Sequence, residues 1–128
     1  MKRYLLVFFA SFILLSCTES PEDLEILSLP FGDFEVTTLG ISIDCGLNVL
    51  KFDEKDLDRL ETLVGPGRLE RRDLREGLNL DRERFGDADL KLKVRIRKVL
   101  DSEVPMCTAR GISYPAVVVI GADTIENQ

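Results

Sequence analysis

The sequence contains no histidine and no tryptophan. Without imidazole the chain cannot build Ser-His-Asp or Cys-His catalytic groups or histidine metal sites, and it lacks the commonest general base of neutral pH. Basic residues are also in the minority, with 17 Lys and Arg against 23 Asp and Glu and a net charge of −6. Because nucleic-acid binding needs a basic surface that neutralises phosphates, we predict no nucleic-acid partner. Most hydrolase classes are excluded as well.

The 128 residues allow one small domain behind a short apolar leader. Lys2 and Arg3 precede an apolar run from Leu5 to Leu15. This run has 11 residues, whereas a membrane-spanning helix needs about 20. A positive start followed by a short apolar run is typical of a signal peptide, so we predict that residues 1–16 are removed.

The leader ends in Leu14-Leu15-Ser16-Cys17. These four residues resemble the lipobox of bacterial lipoproteins, in which the cysteine thiol is diacylated and the chain is cleaved before it. The new amino terminus is then acylated too. The resemblance implies that Cys17 carries acyl chains such as palmitate, and two or three chains, at about 0.8 kcal/mol per buried CH₂, hold a protein firmly on a membrane. The alternative is an ordinary signal peptide with a coincidental thiol at Cys17.

The predicted mature chain divides into an acidic linker and a folded domain. Removing 16 of the 128 residues, with Lys2 and Arg3 among them, leaves 112 residues with 15 basic and 23 acidic side chains, a net charge of −8. Residues 17–30 are acidic and lack a clear hydrophobic period, which favours a linker, and residues 31–128 are the predicted domain. Thr18 follows Cys17, where Asp would resemble an inner-membrane retention signal of enterobacterial lipoproteins. We therefore predict an outer-membrane lipoprotein that faces the periplasm.

Two segments have clear strand patterns. Residues 90–97 alternate apolar and basic side chains, as expected for a strand with one buried face, and the alternation stops at Lys98. Residues 116–120 are continuously apolar and are bounded by Pro115 and Gly121, which is typical of a strand covered on both faces. Further strands are predicted at residues 34–38 and 41–43, with residues 47–52 as a continuation. The pattern predicts a mainly β fold with one or two short helices, either a small single-domain sheet or an OB-like barrel.

One amphipathic helix is predicted after Asp53, which can cap it, while Phe52 and Leu57 have the spacing of a hydrophobic staple. The apolar stripe of this helix is formed by Leu57, Leu60, Leu63 and Val64. Gly65-Pro66-Gly67 predicts its end. Residues 68–84 are dense in charges of both signs, so we predict a solvated excursion. The leucines expected to hold this excursion to the core are Leu69, Leu74, Leu78 and Leu80.

Two cysteines remain beyond Cys17, and an even pair in a small exported domain is most simply a disulfide, here between Cys45 and Cys107. The alternative is redox chemistry. A strand that leads into Cys45, together with Tyr114-Pro115 before a buried strand, resembles the thioredoxin-like layout in which a cis-proline faces a reactive cysteine. The segment Cys45-Gly46-Leu47-Asn48 is no Cys-x-x-Cys motif, however, so a resolving thiol is missing.

Charged clusters supply the remaining candidate sites. Calcium could bind through carboxylates at Asp53, Glu54, Asp56 and Asp58, or at Asp87 and Asp89. Neither cluster has the spacing of an EF-hand, and a solvated acidic face is the simpler interpretation. One strand face carries Lys91, Lys93, Arg95 and Arg97. No aromatic residue interleaves with these charges, so we predict that they balance the acidic surface or protect a sheet edge. We predict no metal, no cofactor and no catalytic residue.

The mature part also resembles short bacterial lipoproteins that carry a two-cysteine β domain. The resemblance covers about 75 residues and is carried by Asp44-Cys45-Gly46, Leu78-Asn79-Leu80, residues 92–96, Met106-Cys107 and the final valine strand. It implies a small β-barrel-like domain with Cys45 bonded to Cys107, and it implies no activity. We therefore expect a lipid-anchored cell-envelope protein that acts as a non-catalytic binding or structural module. The alternatives are a thioredoxin-like monothiol redox protein using Cys45 and a calcium-binding carboxylate module.

Overall fold

The computed structural model describes residues 26–43, 45–107 and 114–125. Its five strands are β1 (Phe31–Ile41), β2 (Asn48–Phe52), β3 (Leu74–Leu78), β4 (Ala88–Lys98) and β5 (Ala116–Thr124). Its helices are α1 (Leu57–Val64), which follows a 3-10 turn at Glu54–Asp56, and α2 (Arg82–Phe85). A second 3-10 turn, Asp101–Glu103, follows β4, and residues 26–28 are also helical. The predicted signal peptide, Cys17 and most of the predicted linker lie outside the described residues.

The five strands close into a ring in the order β1-β2-β3-β5-β4, and β4 pairs back to β1. Neighbouring strands are antiparallel except β3 and β5, which run parallel. The prediction of a small, mainly β domain is therefore confirmed, and of its two alternatives the closed, OB-like arrangement is the one observed. A closed ring has no edge strand. The predicted protection of a sheet edge by the lysines of β4 is therefore wrong.

The interior of the ring is filled by alternate side chains of the strands, because successive residues of a strand point to opposite faces. Phe34 of β1 and Phe52 of β2 meet edge to face, with ring centroids 5.5 Å apart. Helix α1 lies against this core and contributes Leu60, which is fully buried. The other buried core residues are Val36, Leu50, Leu80, Phe85, Leu92, Val94, Ile96, Val117 and Val119. Burying each large aliphatic or aromatic side chain contributes about 1.5–3 kcal/mol.

The two clearest strand predictions are confirmed, with one correction for β5. Strand β4 ends at Lys98, where the alternation stops. Strand β5 continues through Gly121 to Thr124, so the predicted end at Gly121 is wrong. Arg95 pairs with Gly121 while Ile96 pairs with Val119, which leaves Ile120 as an unpaired bulge residue. The bulge turns Ile120 outward, where it is 49% exposed. Of the predicted strand, only the part before Ile120, with the buried residues Val117, Val118 and Val119, is covered on both faces.

The strand predicted at residues 34–38 lies within β1, which continues through a bulge to Ile41. Of the strand predicted at residues 41–43 only Ile41 is confirmed, because residues 42 and 43 lie beyond the end of β1. Gly40, with φ of 94°, takes the left-handed conformation that this bulge requires. Residues 48–52 then form β2, which confirms the predicted continuation. The predicted helix is also confirmed, although its first turn is 3-10 and Asp53 makes no side-chain capping bond. Gly65 ends it, and its N–H donates to the carbonyl of Glu61.

The predicted solvated excursion over residues 68–84 is wrong in its middle. Residues 74–78 form β3, one of the five strands of the ring, and both Arg75 and Glu76 are buried. Leu69, an expected anchor to the core, is 92% exposed instead. Arg75 and Gly77 face the interior of the ring, since they pair with the inward residues Leu50 and Asn48. The hydrophobic alternation of a strand is therefore missing here.

Candidate functional site

Cys45 and Cys107 form a disulfide, with their Cα atoms 5.1 Å apart, and this confirms the predicted bond. Cys45 lies in the turn between β1 and β2, and Cys107 lies in the connection from β4 to β5. We call these segments the β1–β2 turn (residues 42–47, with residue 44 outside the described set) and the β4–β5 loop (residues 99–107). The disulfide therefore joins the β1–β2 turn to the β4–β5 loop.

The β1–β2 turn is fixed by hydrogen bonds around Ser42. The Ser42 N–H donates to the carbonyl of Leu47 at 2.8 Å, and the Leu47 N–H donates to Ser42 Oγ at 3.3 Å. The Gly46 N–H donates to the Ser42 carbonyl, and Gly46 has a φ of 65° that favours glycine. Cys45 is thus held in a turn that is closed by three hydrogen bonds.

The β4–β5 loop is fixed to β4 by a partly buried ion pair. Both terminal nitrogens of Arg97 donate to the two carboxylate oxygens of Glu103 at 2.7 Å, and the Leu100 N–H donates to the same carboxylate at 3.0 Å. The side chain of Arg97 is only 7% exposed. Its hydrogen bonds lower the pKa of Glu103 below the ordinary value of a glutamate. The first half of the loop is therefore tied to the ring before the chain reaches Cys107.

Large apolar side chains project from both loops beside the disulfide. Ile43 is 98% exposed and Met106 is 96% exposed, while Val104 is 53% exposed. Consecutive Cα atoms lie 3.8 Å apart. The 5.1 Å between the two cysteine Cα atoms therefore keeps the Cα atoms of Ile43 and Met106 within about 17 Å. We call Ile43, Val104 and Met106 the apolar loop tips. Single exposed apolar residues are ordinary, whereas a group held together on two fixed loops is a candidate contact surface.

The basic stripe of β4 faces outward, as predicted, but its charges are largely paired. Arg95 makes two hydrogen bonds to Asp33, at 2.8 and 3.1 Å, and these lower the pKa of Asp33. Lys93 lies directly between Glu35 of β1 and Asp123 of β5 in the register of the ring. Arg97 is paired with the carboxylate of Glu103. The arrangement supports the prediction that these residues balance the acidic surface. Few of these positively charged side chains are left free to bind phosphate groups.

The two acidic clusters do not assemble into a metal site. Asp56 pairs with Arg59 and Asp58 pairs with Arg72, each at 3.3 Å. In the part of the chain that the structure describes, no three acidic or cysteine side chains come together in a way that could hold a metal ion. The calcium hypothesis therefore finds no site among these residues.

Arg75 is a buried residue that sequence reasoning missed. It is fully buried inside the ring, where Nη1 donates to the carbonyls of Arg72 and Leu74 and Nη2 donates to the carbonyl of Gly65. Burial lowers the pKa of its guanidinium. A Cβ atom at Gly67 would overlap the guanidinium. The Gly65-Pro66-Gly67 segment thus ends α1, as predicted, and also covers Arg75; the only sequence signal for the second role is the missing side chain at position 67.

Among the described residues, no helix is long and apolar enough to cross a membrane. Comparisons of the chain with protein-family models, with curated proteins and with solved structures gave no significant match. The inference of function therefore rests on the fold, the disulfide-joined loops and the predicted lipid anchor.

Proposed function

We propose that this protein is a bacterial lipoprotein of the cell envelope whose domain is a non-catalytic binding module. Acyl chains on Cys17 attach it to the membrane, and residues 18–30 connect the anchor to the domain. We place it at the outer membrane, facing the periplasm, because Thr18 and not Asp follows Cys17. The observation that carries the binding role is the group of apolar loop tips on the two loops that the Cys45–Cys107 disulfide joins.

The contact surface is suited to another folded protein with a small apolar patch. Three aliphatic or thioether side chains offer apolar area without a directional hydrogen-bond pattern, and Met adapts its shape to different partners. Hydrogen bonds around Ser42 fix the β1–β2 turn, and the Arg97–Glu103 pair fixes the β4–β5 loop up to the residue before Val104. A surface that is ordered before binding loses less entropy on association.

The thioredoxin-like alternative has less support from the geometry. Thioredoxin-like sites lower the thiol pKa by placing the cysteine at a helix N-terminus or in a Cys-x-x-Cys motif. Cys45 instead lies in an antiparallel turn and is followed by β2, and its sulfur is bonded to Cys107. A reactive thiol at Cys45 in the isolated protein, seen as rapid alkylation without reductant, would favour this alternative over the binding module.

Photo-crosslinking tests the binding role. A photoreactive amino acid is placed at Ile43 or at Met106 of the full-length protein in the bacterial envelope, and the matched control position is Leu69. Leu69 is 92% exposed but lies outside the two disulfide-joined loops. We expect the same discrete adduct from positions 43 and 106 and none from position 69. If positions 43 and 106 give no adduct, or all three positions give the same adducts, the apolar loop tips are not the binding surface.

A further inference from the structure

A second apolar surface lies where the chain enters the ring. A groove of about 570 Å³ runs between the start of β1 and helix α1. Its apolar walls are formed by Pro30, Phe31, Phe34 and Leu63. Phe31 itself is 57% exposed, although it is the first residue of the ring. A large aromatic side chain is therefore exposed to solvent beside an open apolar groove.

The residues just before β1 extend this apolar surface. Leu27 is 77% exposed, whereas its neighbours Ile26 and Leu29 are partly buried and line a separate groove against the start of the β4–β5 loop. The helical turn at residues 26–28 thus directs Leu27 outward, four residues before Phe31. We call Leu27, Phe31 and the groove the tether-side surface, because all three lie where the chain enters the ring.

Two arginines lie beside the apolar residues of this surface, and each is paired with a carboxylate, Arg59 with Asp56 and Arg95 with Asp33. The Arg59 guanidinium lies 3.8 Å from the centre of the Phe34 ring and donates to the carbonyl of Asp33. Arg59 also pairs with Asp56, which does not line the groove. The guanidinium of Arg95 lies 4.9 Å from the ring of Phe31. The separate groove lined by Ile26 and Leu29, in contrast, includes Asp101. Arg59 is the one charged residue in the lining of the groove between β1 and α1, so that groove itself presents no carboxylate to a lipid surface.

The predicted anchor places this surface within reach of the bilayer. Eight residues separate Cys17 from Ile26, and the nine steps from one to the other, at no more than about 3.6 Å each, span at most about 32 Å. The first apolar side chain of the tether-side surface, Leu27, follows directly. Side chains such as Phe and Leu bury at the boundary between headgroups and acyl chains when a protein lies on a bilayer, and a nearby arginine keeps its guanidinium in the polar layer.

We propose that the tether-side surface rests on the lipid bilayer into which Cys17 is anchored, with Leu27 and Phe31 in the interface and Arg59 toward the headgroups. This inference rests on the proposed lipid anchor. Docking fixes the orientation of the domain on the membrane. The apolar loop tips are then presented in a defined direction and do not swing freely on the linker.

The absence of tryptophan gives a direct test, because each Trp variant has a single indole. The full-length lipoprotein carrying Phe31→Trp is reconstituted into vesicles of phosphatidylethanolamine and phosphatidylglycerol, with and without brominated lipids. Ile43→Trp is the matched control, since Ile43 is more exposed than Phe31 but belongs to the loop tips. We expect the Phe31→Trp emission to move to shorter wavelength and to be quenched by the brominated lipids. The Ile43→Trp emission should be quenched by acrylamide in the water phase and not by the lipids.

Two further measurements separate the docking surface from the anchor. Flotation of the protein with the vesicles reports the anchor alone, so protein that does not float overturns the anchor and the docking together. If the protein floats but lipid quenching is equal at positions 31 and 43, the proposed anchor stands and the proposed docking is overturned. Leu27→Asp in the Phe31→Trp background should reduce the lipid quenching while flotation is unchanged. Vesicles of phosphatidylcholine should give weaker quenching if the arginines contact anionic headgroups.

Discussion

Removing the Cys45–Cys107 disulfide, by changing both cysteines to alanine, is expected to destabilise the domain strongly. The bond closes a loop with a sequence separation of 62 residues. In the chain-entropy model a loop of this length restricts the unfolded chain by about 14 cal/mol/K, which is about 4 kcal/mol at 25 °C. Small domains unfold with a total free energy of about 5–15 kcal/mol. The variant should therefore stay folded with a small margin at most.

Urea unfolding of both proteins measures this loss. We expect the free energy of unfolding to fall by about 4 kcal/mol and the Tm to fall by roughly 15–30 °C, since 1 kcal/mol shifts the Tm of such a domain by about 4–8 °C. The slope of unfolding against urea should rise, because the unfolded chain without the bond is more expanded. Reduction of the unmodified protein is the matched control and should give the same loss. A loss below about 1 kcal/mol would refute the reasoning that the bond constrains the unfolded chain.

Three further predictions concern single residues. Gly67→Ala should lower the free energy of unfolding by about 1–3 kcal/mol in urea, because the added methyl group overlaps buried Arg75, while Gly121→Ala, which meets only ordinary contacts, should cost far less. The pKa of Glu103 is lowered in the fold, so its ion pair contributes stability above the ordinary glutamate pKa and loses it as the pH falls through the folded value. Unfolding followed between pH 7 and pH 3 should show this acid loss in the unmodified protein and less of it in Glu103→Gln. Cys17→Ser should move the protein from the membrane fraction to the soluble fraction; unchanged membrane association would contradict the proposed anchor.

Sequence patterns predicted those elements in which the spacing of hydrophobic residues matches the period of a strand or a helix. The alternation of β4 and the apolar run of β5 are local signals, and Gly65-Pro66-Gly67 is a local helix end. Closure of the ring is a different property, because it depends on which strands pair and in what register. Strand β3 was missed since its inward positions hold Arg75 and Gly77. Backbone carbonyls accept hydrogen bonds from the buried Arg75 guanidinium, and hydropathy does not reveal such contacts.

The features of the candidate site also differ in whether the sequence could predict them. The Cys45–Cys107 bond was predictable from an even number of cysteines in an exported domain. The apolar loop tips were not, because Ile43 and Met106 look like core residues in the sequence and only the folded loops expose them. Likewise, the exposure of Phe31 beside a groove free of carboxylates arises from the packing of α1 against β1.

The central claim, a lipid-anchored module with disulfide-joined loops, is tested most directly by one intact mass measurement. The full-length protein is extracted from bacterial membranes and alkylated, with and without prior reduction, before the mass is recorded. We predict a chain that begins at Cys17 and carries two or three acyl chains, takes no alkyl label before reduction, and takes two labels after it. A chain without acyl groups, or one that is labelled at Cys45 or Cys107 before reduction, would contradict the account.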